Sequence, residues 1–141
     1  MLFGGYQHNI DKKGRIFIPS KLREQLGESF IICRAIYKKP CLWVYSLTEW
    51  EALVERISQL PNAKSSGMRR FLFEGAFNVE FDAQGRILIP ASLREYAELE
   101  GDAHIIGMDK NLEIWNTALW EEEKGTYSPE TIAAMAEDLE F

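Results

Sequence analysis

A sixteen-residue string occurs twice in this chain. Asp11 to Leu26 reads DKKGRIFIPSKLREQL, Asp82 to Ala97 reads DAQGRILIPASLREYA, and at a constant offset of 71 nine of the sixteen positions are identical. Each copy opens with D-x-x-G, where Asp at the first position and Gly at the fourth suit a type I turn closed by a left-handed residue, the three-residue hairpin loop with a G1 bulge. Gly14 and Gly85 are therefore expected to serve the backbone. Arg15-Ile16-Phe17-Ile18 and Arg86-Ile87-Leu88-Ile89 follow as short strands rich in β-branched residues, and Pro19 or Pro90 ends the strand and opens a helix. Leu22 and Leu26, with Leu93 and Ala97 in the second copy, give that helix one apolar face.

The copy extends beyond sixteen residues. After a C-capping Gly27, Phe30 to Cys33 and Leu42 to Tyr45 read as two strands joined across Lys38-Lys39-Pro40; the second half repeats the order as His104 to Gly107 and Leu112 to Trp115, with Asp109-Lys110-Asn111 in the turn. A unit of about 50 residues built this way leaves open strand edges and too little core to stand alone, so two of them should pair. The expected architecture is α+β and β-rich: two tandem repeats forming one barrel-like module with a pseudo-two-fold axis and short flanking helices.

Between and around the repeats the pattern turns helical. Ser46 to Glu49 is a capping box, and the helix it opens carries Trp50, Leu53, Val54, Ile57 and Leu60 on one face before Pro61. Asn62 to Gly67 reads as a polar connector, Met68, Phe71 and Leu72 as a short helix, and Phe77 to Phe81 as a strand. Residues 1–10, with Leu2, Phe3, Tyr6 and Ile10, read as a strand entering the first turn, and Asn116 caps a helix holding Trp120. Ser128-Pro129-Glu130 opens a last helix whose Ile132, Met135, Ala136 and Leu139 form an apolar stripe, to be covered by the chain's own core or by another subunit. The resulting division is 5–47 for the first repeat, 48–75 for a helical connector, 76–119 for the second repeat and 120–141 for an acidic tail.

A net charge of −6 argues against a nucleic-acid binder until it is apportioned. From Glu121 onward seven acids face Lys124 alone, so the first 120 residues sum to zero, and Asp11 to Arg23 holds five cations against one acid. An acidic chain can thus present a basic patch. Neither a signal-peptide pattern nor an apolar run of bilayer length occurs, so a cytoplasmic protein with no membrane partner is expected. Cys33 and Cys41 form a lone pair without neighbouring His, a poor zinc site, and are read as reduced and structural. His8 and His104 stand alone, and Trp43, Trp50, Trp115 and Trp120 recur in matching places, which favours packing over base stacking. G-x-S-x-G, P-loop and H-E-x-x-H patterns are all missing and the Asp-Arg pairs offer no nucleophile beside a base, so no enzyme, catalytic residue, metal, cofactor or small-molecule substrate is expected.

The string D-x-x-G-R-I-x-I-P-x-x-L-R-E resembles the swapped-hairpin DNA-binding domain of the AbrB/SpoVT type. Doubled at this spacing, with the Met1-Leu2-Phe3-Gly4 opening, the chain is similar over essentially its whole length to the MraZ family of bacterial transcriptional regulators. The resemblance implies a repressor of its own operon, the division and cell-wall gene cluster. It also implies binding to short direct repeats in promoter DNA as a ring-shaped homo-oligomer on the nucleoid. The D-x-x-x-R elements of the family fall on Asp11 with Arg15 and on Asp82 with Arg86.

Arg15 and Arg86 follow the turn glycines directly, where an arginine can reach phosphates or present its fork to a guanine edge. Alternatively, each Asp-Arg pair is a local bridge that fixes its loop and touches no ligand. The resemblance favours DNA contact, with Asp11 and Asp82 orienting the arginines. Lys12 and Lys13 at the first turn tip suit phosphate contact, whereas their counterparts are Ala83 and Gln84, so the first half should dominate affinity. Lys21, Arg23 and Arg94 on the short helices divide between phosphate contact and solvated or Glu-paired surface, and Arg69 and Arg70 read as solvated. The rival to a DNA reader is a protein-interaction or antitoxin-like module whose acidic tail grips a basic partner.

Overall fold

A computed structural model describes residues 1–140. The first half runs β1 (Gly5–Asn9), β2 (Arg15–Phe17), α1 (Ser20–Leu26), β3 (Ser29–Arg34), β4 (Leu42–Ser46), α2 (Leu47–Ser58) and α3 (Asn62–Glu74). The second runs β5 (Phe77–Glu80), β6 (Arg86–Leu88), α4 (Ala91–Tyr96), β7 (Asp102–Gly107), β8 (Leu112–Asn116), α5 (Thr117–Lys124) and α6 (Pro129–Met135). The class is α+β, as the doubled pattern implies.

The two halves interlock instead of folding side by side. A six-stranded antiparallel sheet has the order β1, β7, β8, β4, β3, β5, so the first strand of each half lies on the hairpin of the other. β2 and β6 form a separate two-stranded antiparallel ribbon in which Ile16 pairs with Ile87, its own counterpart in the repeat. In the large sheet Trp43 pairs with Glu113 at the middle of the β4–β8 contact. These two self-matching pairs mark the pseudo-two-fold axis. Among the described residues neither sheet closes into a barrel.

The D-x-x-G turns form, but they do not join paired strands. In each, the Gly amide donates to the Asp carbonyl and the Asp amide to the Arg carbonyl, with Gly14 at φ 89° and Gly85 at φ 80°. The chain then departs from β1 or β5 and enters the ribbon with the other half, because the ribbon buries four isoleucines at once. Ile16, Ile18, Ile87 and Ile89 have no accessible surface and share a core with Leu22, Leu26, Phe30, Leu93 and Ile105.

A second apolar cluster fills the opposite face of the large sheet under α2 and α3, with Cys33, Trp43, Tyr45, Leu53, Ile57, Leu72 and Trp115. Both cysteines are free and buried, and burial pushes the Cys33 thiol up to about 12. Glu113 lies within this layer and accepts from the indole nitrogens of Trp43 at 3.4 Å and Trp115 at 3.0 Å. All four tryptophans therefore pack, two buried and two half-buried.

Two local expectations change. The polar stretch Asn62 to Gly67 is not a connector: it is the first half of α3, whose cap is Pro61 and whose Ser65 is buried, so packing against the sheet overrides weak helix propensity. The stripe on α6 does not dock on the core, since Ile132 is 46%, Met135 67% and Leu139 64% exposed. The Ser128 hydroxyl still caps α6, accepting from Thr131.

Candidate nucleic-acid interface

Strand alternation decides what the ribbon shows to its surroundings. Ile16, Ile18, Ile87 and Ile89 point inward, so Arg15, Phe17, Arg86 and Leu88 occupy the outer face. The register places Arg15 opposite Leu88 and Phe17 opposite Arg86, which makes the two arginines diagonal neighbours across the axis. The repeat thus yields one continuous patch and not two separate loops.

Each arginine is held at Nε by the aspartate of its own turn; the tip of Arg15 is free, and the tip of Arg86 has one longer contact across the axis. Asp11 Oδ1 accepts from the backbone amides of Lys13 and Arg15, both at 2.9 Å, and its Oδ2 accepts from Arg15 Nε at 2.7 Å. Asp82 repeats this with Gln84, Arg86 and Arg86 Nε, the last at 2.8 Å. Both carboxyls are held below the usual carboxylate range, chiefly by the amide of the following arginine and also by its side chain. Arg86 Nη1 also reaches to 3.8 Å from Asp11 Oδ2, linking the two turns. The arginine side chains remain 31% and 29% exposed. Because each turn aspartate engages only Nε, both terminal nitrogens of Arg15 and Nη2 of Arg86 are available for an outside acceptor.

Lys12 and Lys13 are exposed at the tip of the first turn, against Ala83 and Gln84 at the second. The patch therefore carries four cations and two acids, a formal +2 in a chain of −6. Lys21 is exposed on the first turn of α1.

Arg23 and Arg94 behave differently from the other candidates. Arg94 donates from Nε to the Ile89 carbonyl at 3.0 Å, and its guanidinium lies against Gly14 of the opposite half. Arg23 lies symmetrically against Gly85 and sits 5.2 Å from the Phe17 ring centroid. The left-handed φ favours Gly at both positions, and a β-carbon there would come within 2.6 Å of a guanidinium carbon and push the arginine aside. Both arginines brace the turns from behind. Arg69 is engaged with Ser58 and Phe73.

Leu88 and Phe17 were not among the candidates read from sequence. The alternation in R-I-F-I and R-I-L-I carried the signal, because once the isoleucines face the core the intervening residues must face out. The two histidines serve packing: His8 lies edge-on to Phe17, and His104 stacks on Trp120 and bonds Gln7. Among the described residues no cluster of His, Cys, Asp and Glu is arranged to hold a metal ion, and no helix is long and apolar enough to cross a membrane.

The family model described as "MraZ protein, putative antitoxin-like" matches residues 1–69 and again 72–138, one match per half. A protein of Acetivibrio thermocellus named transcriptional regulator MraZ is 47% identical over 137 residues, covering 94% of both chains. Proteins with the same name from a Thermoanaerobacter species and from Pediococcus pentosaceus are 45% and 44% identical, covering 99% and 86% of this chain and 99% and 85% of their own.

Proposed function

The chain belongs to the MraZ family, and from that premise we propose that it is a sequence-specific DNA-binding repressor of its own operon, the division and cell-wall gene cluster. Regulation of transcription is the role that the relatives' names give. The finer reading rests on one observation above the others: a two-stranded ribbon, braced by a buried isoleucine layer, presents two rooted arginine forks side by side on its outer face. The major groove of B-DNA admits such a ribbon, and a guanine edge accepts such a fork. Lys12 and Lys13 would add phosphate contacts that set orientation and affinity.

One subunit offers few phosphate contacts, which gives weak binding with a steep salt dependence. A ring-shaped homo-oligomer on short direct repeats would present several patches together and raise affinity by roughly 10² to 10⁴ through effective concentration. The exposed stripe of α6 and the open outer edges of β1 and β5 are the surfaces available for ring closure. Association with the nucleoid follows from such binding.

The exposed α6 stripe also supports a second reading, an interaction module in which the acidic tail takes a basic partner. One titration separates the two. Labelled DNA from upstream of the chain's own gene is titrated with wild type and Arg15→Ala at two salt concentrations. A repressor gives tight, salt-sensitive binding that weakens in the variant. Binding that is absent, or equal in both proteins, refutes the DNA reading and leaves the interaction module.

A further inference from the structure

Leu88 is out of place among its neighbours. It is 55% exposed in the middle of a charged face, on a strand position that favours β-branched side chains, and its nearest cross-strand partner is Arg15. Its counterpart in the first half, Phe17, is not left open in this way. Phe17 is half-buried, with the His8 ring 5.3 Å away and the Arg23 guanidinium 5.2 Å from its centroid. The position matching His8 in the second half is Val79, which packs against the core and leaves no ring beside Leu88. The two halves of the patch therefore match in their arginines and differ in the apolar residue next to each.

We infer that Leu88 is a specificity residue that packs on the C5-methyl group of a thymine beside the base contacted by Arg15; this rests on the DNA-binding reading above. The thymine methyl is the only apolar group that a base pair shows in the major groove, and it is read by apolar side chains. Directly opposed side chains on a ribbon are about 5 Å apart and base pairs about 3.4 Å, so the thymine lies one or two steps from the Arg15 contact. The Arg15–Leu88 end thus reads a guanine and a nearby thymine. The Arg86–Phe17 end reads its guanine without a projecting methyl contact, so one subunit distinguishes the two directions along the duplex. A reader of that kind suits direct repeats, whereas two equivalent halves would suit a palindrome.

The test uses the full-length protein and the shortest duplex that the upstream titration shows to bind. Each thymine is replaced in turn by deoxyuridine, which removes only the methyl group. Wild type should lose about fourfold in affinity at one position per bound subunit, the worth of one buried methyl. Leu88→Ala should bind the thymine duplex about that much more weakly and show no difference between thymine and uracil there. Leu88→Thr, which retains a methyl and suits a strand, should keep part of the sensitivity. Wild type that is indifferent to every substitution, or Leu88→Ala that keeps the full sensitivity, overturns the inference while leaving DNA binding intact. A fall in oligomer mass by light scattering in Leu88→Ala, with no thymine effect, would assign Leu88 to a subunit contact and overturn it too. If the upstream titration yields no duplex that binds, the DNA-binding reading itself fails and this inference falls with it.

Discussion

Replacing Arg15 by alanine removes a fork whose Nε is tied to Asp11 at 2.7 Å and whose tip is free. Loss of a bidentate base contact costs about 1–3 kcal/mol, a roughly 5- to 150-fold loss of affinity. The fold should hardly notice. The two side chains of the bridge are 31% and 35% exposed, pairs of this kind add little stability, and for a chain of this size the melting temperature should fall by about 3 °C at most. Arg86→Ala should behave alike but lose less, because the structure is not symmetric at Asp11. Arg86 already lies 3.8 Å from that carboxylate, so once Arg15 is gone Arg86 is drawn towards Asp11 and away from the duplex. The double variant should therefore lose less than the sum of the singles, by at least about 0.5 kcal/mol, since both arginines share one partner. Fluorescence anisotropy on a single-repeat duplex, with thermal melts followed by circular dichroism, measures all of these. The reasoning is refuted if either single variant melts far below wild type and yet binds normally once folded, because the Asp-Arg pairs would then serve the loops alone.

Lys12→Ala combined with Lys13→Ala should weaken binding to operator and unrelated DNA alike and reduce the log–log salt slope by about 1.8 per bound subunit; a loss confined to the operator would contradict a phosphate role. Gly85→Ala forces a left-handed alanine and displaces Arg23, so it should destabilise by about 1–2 kcal/mol in urea titrations, and an unchanged midpoint would show the turn to be adaptable. The Asp11 and Asp82 carboxyls are held below their ordinary value of 3.8, so their contribution to turn order is full above that value and is lost as the pH falls below it. Protection of the Arg15 and Arg86 amides, taken against the intrinsic exchange rate at each pH, should therefore be lost in acid in wild type, and in Asp11→Asn with Asp82→Asn it should be low at neutral pH as well. Ile16→Ala opens a cavity at the pseudo-axis and should cost about 2–5 kcal/mol by urea unfolding.

The repeat made much of this fold legible. The turns, the short strands after them, the helices behind Pro19 and Pro90 and the two hairpins stand where the doubled string implies. The exchange of β1 and β5 between halves followed only from the family resemblance, because strand periodicity says which face is apolar and not which edge will pair. One element was misjudged for a physical reason, since α3 gains its polar first turns from packing; of the two coverings open to the α6 stripe, the chain's own core does not supply one. In the candidate site, the Asp-Arg roots were readable from spacing, since Asp and Arg four residues apart bridge the two sides of one turn. The diagonal meeting of Arg15 with Arg86, and the bracing of each turn glycine by an arginine from the other half, depend on the cross-half ribbon register and could not be read from either copy alone.

Hydrogen–deuterium exchange of the full chain, with and without its upstream duplex, tests the proposed interface most directly. Protection by DNA should fall on residues 11–17 and 82–88 together, because both turns border one ribbon face. Protection that spares both turns, or that falls on α6 alone, would contradict the account.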